Sequence, residues 1–418
     1  MKKRSGAILK SGYLYFFVLS ILLITTFYFI IPALFPSSFA VIEISHEQII
    51  PDKPTVSHIK TPEQVRAIYM SACAASDPSF REKLVALATT TEINSIVIDV
   101  KDYTGTISFD SENLLIKGNK GTGCKVSDLK DFINTLHEKG IYVIGRISSF
   151  QDIYLVKTRP ELAVKKASNE EIWKDYKGVS WLDAGSKDVW DYLVTIGRES
   201  YAIGFDELNF DYIRFPSDGN MNDIKYPFSE NLVKHEVIKS FYTYLRENLN
   251  DLGVPLSADM FGMVTVANFD LNIGQVLEDA LPYFDYISPM VYPSHYPATY
   301  GGYTNPAEHP YEIVKDAMIG AISKVNNLKS SFSTTTITTV TTSSTSITTS
   351  VATTTPADIV NRVSIKQLRP WLQDFNLGAN YTAEMVKAQI QAVYDSGLDS
   401  WLLWNAGNIY TKSALLPE

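Results

Sequence analysis

Hydrophobic and polar positions along the chain follow two alternating patterns. Short apolar runs recur, and each gives way to a stretch whose apolar residues return every third or fourth position. The first pattern fits a buried strand and the second an amphipathic helix. Strands are expected near Ala67–Ala72, Ser95–Val100, Ile141–Ile147, Phe205–Phe215, Pro255–Phe261, Tyr286–Val291, Ile365–Gln373 and Ser400–Trp404. Helical patterns fill the gaps over Phe80–Thr89, Lys125–Lys139, Lys187–Ile203, Asn231–Asn250, Ile273–Leu281, Tyr311–Val325 and Thr382–Gly397. Gly140, Gly253 and Gly397 stand where such helices should stop. Strands alternating with helices in this number predict an α/β fold, a (β/α)8 TIM barrel. A doubly wound open sheet is the competing architecture, but no Gly-rich phosphate loop opens any helix.

Two stretches break the alternation. Lys2, Lys3, Arg4 and Lys10 precede an uncharged apolar run over residues 13–34. A run of that length can cross the hydrocarbon core as one helix, with its basic end in the cytoplasm. Residues 1–40 are therefore expected to be a cytoplasmic tip and transmembrane anchor. The rival is a cleavable signal peptide, cut near Ser38-Phe39-Ala40. Either way the rest of the chain is exported, anchored at the cell membrane or secreted. Residues 41–63, with Pro51, Pro54 and Pro62, are expected to be a tether, and residues 64–418 the barrel. Within the barrel sequence, 20 of the 26 residues from Ser330 to Thr355 are Ser or Thr. Such a tract cannot bury a core, so it is expected to be an inserted, glycosylation-prone loop. Asn380-Tyr381-Thr382 forms an N-glycosylation sequon.

Charge and composition narrow the partners. The chain has a formal charge of −9. Without the four N-terminal cations, 33 basic residues face 46 acidic ones, a balance of −13. With no long basic run, a nucleic-acid surface is not expected, and neutral ligands fit better than acidic polymers. Cys73 and Cys124 form an even pair in an oxidising location, so either a disulfide or two buried thiols is open. The six histidines make no close-spaced ligand set, and there is no nucleophile elbow or Walker loop. No cofactor or metal is expected.

Barrel enzymes carry their chemistry at the C-terminal ends of the strands. The fourth strand, Gly204 to Pro216, places Glu207, Asn209 and Asp211 on one face by period-two alternation, opposite Leu208, Phe210 and Tyr212. Packed barrels do not turn three polar groups inward without a use for them. Other strand ends bring Asp99 and Lys101 on a shared face, then Arg146 and Asp259. Tyr292, His295, Trp371, Gln373, Asp374, Trp404 and Asn405 follow at later ends, and Arg214 lies near the end of strand four. Aromatic faces stack on sugar rings while carboxylates and amides take the hydroxyls, so a carbohydrate substrate is expected. Glycosidic hydrolysis needs two carboxylates, one acting as acid and one as nucleophile or base. Asp211 and Asp259 are the first pair. Glu207 joins them as a deeper member that orients its neighbours, with Asp99 and Asp374 as reserve partners.

The segment Asp206-Glu207-Leu208-Asn209-Phe210-Asp211-Tyr212-Ile213-Arg214-Phe215-Pro216 resembles the strand-four signature of the glycoside-hydrolase-like barrels called domain of unknown function 4015. Ile98–Asp102, Gly145-Arg146, Trp181-Leu182-Asp183, Ser288–Tyr296 and Pro370–Phe375 are similar to that family in the same order, over roughly residues 64–418. The resemblance implies a TIM barrel with a hydrolase-like cleft. Family 18 chitinases offer a contrast, since their strand four follows Asp-Gly-x-Asp-x-Asp-x-Glu. Asp206 and Asp211 match the first and third Asp, Asn209 replaces the second, and Ile213 stands at the acid. A different acid, such as Asp259, is then required. The expectation is a membrane-anchored extracellular glycoside hydrolase. A non-catalytic glycan-binding barrel is the alternative, and a surface scaffold with barrel-filling carboxylates is a third.

Overall fold

The computed structural model describes residues 18–26, 56–332 and 361–418. The chain divides into two units, Met1–Thr55 and Val56–Glu418. In the first, residues 18–25 are helical, with Leu19, Leu22, Leu23 and Ile24 exposed. The rest of the apolar run, residues 41–55 of the tether and most of the Ser/Thr tract lie outside the described residues. Among the described residues, no helix is long and apolar enough to cross a membrane.

The second unit is a closed barrel of parallel strands in chain order. The strands are β1 (Arg66–Met70), β2 (Ser95–Lys101), β3 (Tyr142–Ser148), β4 (Glu207–Asp211), β5 (Leu256–Phe261), β6 (Tyr286–Met290), β7 (Trp371–Gln373) and β8 (Trp401–Trp404). Pairing of β8 with β1 closes the ring. Around it run α1 (Pro78–Ala88), α2 (Leu129–Glu138), α3 (Lys187–Ile203), α4 (Lys234–Leu249), α5 (Leu277–Ala280), α6 (Pro310–Phe332) and α7 (Ala383–Asp395). The expected (β/α)8 architecture is present. Asp77 caps α1 by accepting from the backbone N–H groups of Ser79 and Phe80, and Thr382 caps α7 through Met385 N–H.

Alternation along each strand divides the core in two. Leu208 and Phe210 face the helices in the large outer cluster. A smaller inner cluster holds Ala67, Tyr69, Val97, Tyr142, Ile144, Trp371 and Leu402. Polar residues share that interior, which is what creates a site.

Several elements differ from expectation for local reasons. β4 stops at Asp211 because Tyr212 adopts a left-handed backbone, φ 52°. β7 is short because Ser364 and Gln367 close a capping box and turn Ile365–Gln367 into a 3-10 helix. β2 carries an irregularity between Asp99 and Lys101, which pairs Lys101 with Ile147 rather than continuing the regular register. Residues 149–186, between β3 and α3, form an excursion stitched by isolated bridges such as Gln151 with Trp181 and Lys174 with Ser180. Cys73, in the short helix Ala72–Ser76 after β1, is disulfide-bonded to Cys124 in the β2–α2 loop, which settles the open alternative.

Candidate active site

At the C-terminal mouth of the barrel lies a cleft of about 450 Å³, a size suited to a small ligand or part of a larger one. Arg146 stands at its floor. Register pairs Arg146 with Asp99 on one side and Asn209 on the other. Its Nη1 donates to Asp99 Oδ1 at 2.6 Å and its Nε to Asp211 Oδ2 at 3.0 Å, while Nη2 also donates to Asp211 Oδ2. Asp259 Oδ2 lies 3.9 Å from the same Nε. All four residues are buried. Burial works against the guanidinium charge, but Asp211 and Asp99 outweigh it and hold the Arg146 pKa well above its ordinary value.

The two central carboxyls have different surroundings. Asp211 is tied to the guanidinium, and its Oδ1 accepts from the N–H of Tyr212. That bond exists because Tyr212 turns out of the strand. Asp259 meets neutral donors instead. Its Oδ1 accepts from Asn209 Nδ2 at 2.9 Å and from Trp371 Nε1 at 2.8 Å. Burial, then the Asp211 charge, push the Asp259 pKa well above the usual carboxylate range, with Arg146 opposing. Asp99 is also raised, by burial, against the pull of Arg146.

Of the residues predicted from sequence, Asp211, Asp259, Arg146, Arg214, Tyr292, His295, Trp371 and Trp404 line the cleft. Trp404 stacks on Tyr69, with centroids 4.1 Å apart, and meets Trp371 edge-on at 5.5 Å. Asp99 sits just behind Arg146 and accepts from the Tyr69 hydroxyl. Asn209 lies beneath Asp259 and bridges it to Ser257 Oγ at 3.1 Å.

The remaining predicted residues are engaged elsewhere. Lys101 does not share the face of Asp99, because the β2 irregularity turns it toward the outer layer. There it pairs with Asp152 at 3.0 Å, fully buried. Glu207 points inward nearer the foot of the barrel, accepting from Tyr142 Oη at 3.0 Å and Arg369 Nη1 at 2.9 Å. Gln373 accepts from Ser294 N–H and donates to Phe375 O, fastening two loops. Asp374 accepts from Thr411 N–H and Oγ1. Asn405 organises its own turn through Ile409 O and Gly407 N–H. Asp206, aligned above with the first chitinase Asp, accepts from Ile59 N–H and Val143 N–H and meets His137 Nε2 at 2.8 Å. Ile213 is fully buried.

Sequence reasoning did not single out Tyr69, Lys177, Tyr212, Phe261 or Gln275. Tyr69 had a usable signal, since period-two alternation puts it inward at the end of β1. Gln275 fixes the cleft wall by accepting from Phe261 N–H at 2.9 Å and donating to Ile213 O at 3.2 Å. Gly262 permits a close approach of strands there, because a Cβ would stand 2.5 Å from Met290 O. Lys177 belongs to the excursion, which has no period to betray it.

No curated protein matches the chain. Among solved structures it is similar to a hypothetical protein from Ruminiclostridium thermocellum, at 36% identity over 46% of this chain and 96% of that one, with a TM-score of 0.42. It is also similar to the PgaB (BpsB) glycoside hydrolase domain from Bordetella bronchiseptica. That match has 11% identity, covers 82% of this chain and 95% of the other, and has a TM-score of 0.55, a likeness of fold. The sequence profile of one family matches residues 67–334 and 330–410, which takes in every barrel strand but the first residue of β1. The chain therefore belongs to the family described as "Putative glycosyl hydrolase domain".

Proposed function

We propose that this protein is a membrane-anchored extracellular glycoside hydrolase acting on a polysaccharide or glycan, with Asp259 as proton donor and Asp211 as nucleophile. The observation that carries the reading is the contrast between two neighbouring carboxyls at the cleft floor. One is held by a guanidinium and the other by neutral donors in a buried setting that favours its proton. Carboxyls whose environments push them apart divide acid and nucleophile roles between them. Both oxygens are measured from one Arg146 nitrogen, at 3.0 and 3.9 Å, so they stand no more than 6.9 Å apart, the two spans laid end to end. That limit admits the separation of about 5–5.5 Å typical of retaining enzymes and only the lowest part of the inverting range, about 6.5–9.5 Å.

In the first step Asp259 gives its proton to the leaving glycosidic oxygen while an Asp211 oxygen attacks the anomeric carbon. In the second, the Asp259 carboxylate takes a proton from water, whose oxygen displaces Asp211 and restores both groups. Trp404, Trp371 and Tyr292 offer apolar faces and edges to the sugar.

Support for the location comes from the basic residues before the apolar run over residues 13–34, from the Ser/Thr tract and from the Cys73–Cys124 disulfide.

The test uses a panel of polysaccharides with the wild type, D211N and D259N. Wild-type protein should release reducing ends from at least one polymer, and each variant should lose about 10²–10⁴-fold in rate with an unchanged circular-dichroism spectrum. Undiminished turnover by D211N would remove it from the mechanism. Oligosaccharide binding without any product would instead establish a glycan-binding barrel.

A further inference from the structure

One wall of the cleft is cationic in a way the mechanism does not use. Arg214 is 8% exposed, yet it forms an ion pair with none of the described carboxylates. Its Nη1 donates to Phe215 O at 3.0 Å and Ser217 Oγ at 3.2 Å. Its guanidinium stands over the rings of Trp181 and Phe261, each 4.7 Å away, and of Tyr212 at 5.5 Å. Those contacts hold the side chain in place while leaving donors on Nη2 and Nε without an acceptor among the described residues. A buried guanidinium so placed is costly unless something negative meets it.

The excursion between β3 and α3 adds a second cation. Asp175 Oδ1 accepts from Lys177 N–H and Val179 N–H, and its Oδ2 accepts from Trp181 Nε1 at 3.1 Å. One carboxylate thus sets both the turn that presents Lys177 and the ring beneath Arg214. Lys177 lines the same cleft and pairs with none of the described acids. The neighbouring acids are Asp211, tied to Arg146 and to Tyr212 N–H, then Asp218, exposed at the rim, and Asp175, committed to its three donors. His295, also in the cleft, has its pKa lowered by burial and by Lys177, and adds no charge at neutral pH.

We infer that Arg214 and Lys177 form an anion-binding subsite beside the catalytic carboxyls, and that the substrate is a glycan bearing a carboxylate or a sulfate ester on the sugar next to the cleaved bond. The planar guanidinium suits both groups, since each presents two oxygens to its fork. This inference rests on the glycoside-hydrolase reading for the cleaved bond, but its test does not depend on turnover.

Binding is measured by titration calorimetry on the full-length D259N protein. The probes are a galacturonate tetrasaccharide, the same tetrasaccharide with its carboxyls reduced to alcohols, and a sulfated galactose tetrasaccharide. At least one anionic probe should bind about ten-fold or more tightly than the reduced one, and which one does so identifies the anion. K177Q, an exposed and fold-neutral change, should remove several-fold of that preference and leave the affinity for the reduced probe as it was. R214K keeps the charge but loses the fork, and should weaken both anionic probes further. Equal affinity for all three probes would overturn the inference, as would a preference that K177Q and R214K leave untouched. Anion preference without cleavage of any such glycan by the wild type would leave the subsite standing and end the hydrolase reading. Cleavage of neutral glycans without anion preference would do the reverse.

Discussion

Arg146 ties the site together at the scale of single residues. It makes contact with three carboxylates drawn from β2, β4 and β5, so the strand register itself determines which acid receives which donor. Asp259 is left with the weakest claim on it, and burial then raises its pKa. The consequence for stability has a definite sign. A carboxyl whose folded value is raised binds its proton more tightly in the native state. Its contribution is fully present below the unfolded value and is lost as pH rises through the folded one. Asn at this position cannot ionise but can still accept from Asn209 and Trp371. D259N should therefore gain stability relative to the wild type as pH climbs above the ordinary Asp range, from about 4 upward through neutral pH. Urea-unfolding midpoints of the two proteins across that interval check this. A constant difference would show that the folded protein does not raise the Asp259 value above that of the unfolded chain.

At the scale of elements, β2 carries the lesson about regularity. Asp99 and Lys101 are two positions apart, and an unbroken strand would turn both into the cleft. The irregularity between them sends Lys101 to Asp152 in the outer layer. K101M would strand the Asp152 carboxylate among the Tyr192 hydroxyl and Leu155 N–H, at a cost of about 3–5 kcal/mol in unfolding free energy. KM and kcat, measured where the variant is folded, should hold near wild-type values; a large rise in KM alone would return Lys101 to the substrate. The disulfide joins residues 51 apart in sequence, and reducing it should lower unfolding free energy by about 2–4 kcal/mol in denaturant titrations.

The same scale shows what was legible in advance. Every strand and major helix announces itself by its period, and the inward row Glu207, Asn209, Asp211 follows directly from alternation. Periodicity cannot register a single irregular residue pair such as the one in β2, nor the left-handed turn at Tyr212 that ends β4. It is equally blind to the excursion over residues 149–186, which is held by isolated bridges and capped turns rather than by a repeating ladder. Glu207 shows another limit, because a strand face says which way a side chain points but not how deep it sits. Its partners Tyr142 and Arg369 are distant in sequence and draw it toward the foot.

For the whole molecule, the net charge describes the surface and not the site. A balance of −13 outside residues 1–40 predicts neutral ligands, while the cleft wall holds two cations, Arg214 and Lys177, that form no ion pair with a carboxylate of the described residues. Long-range repulsion and local attraction respond oppositely to salt, so bulk charge is a poor guide to a recessed pocket. The anchor proposal has its own check. Full-length protein should stay with membranes through an alkaline carbonate wash, and a version beginning at Val56 should not; release of both would rule out a spanning segment. One feature of the barrel foot bears on any chain held at its N-terminal end. Asp206 grips the entering backbone at Ile59 while also holding Val143 and His137. Tension drawn through the first residues of this unit is therefore received by a carboxylate on the β4 side of the ring before it reaches β1. The Ile59 N–H bond is the first to carry such a pull, and the bonds from Val143 and His137 keep its acceptor in place while it does.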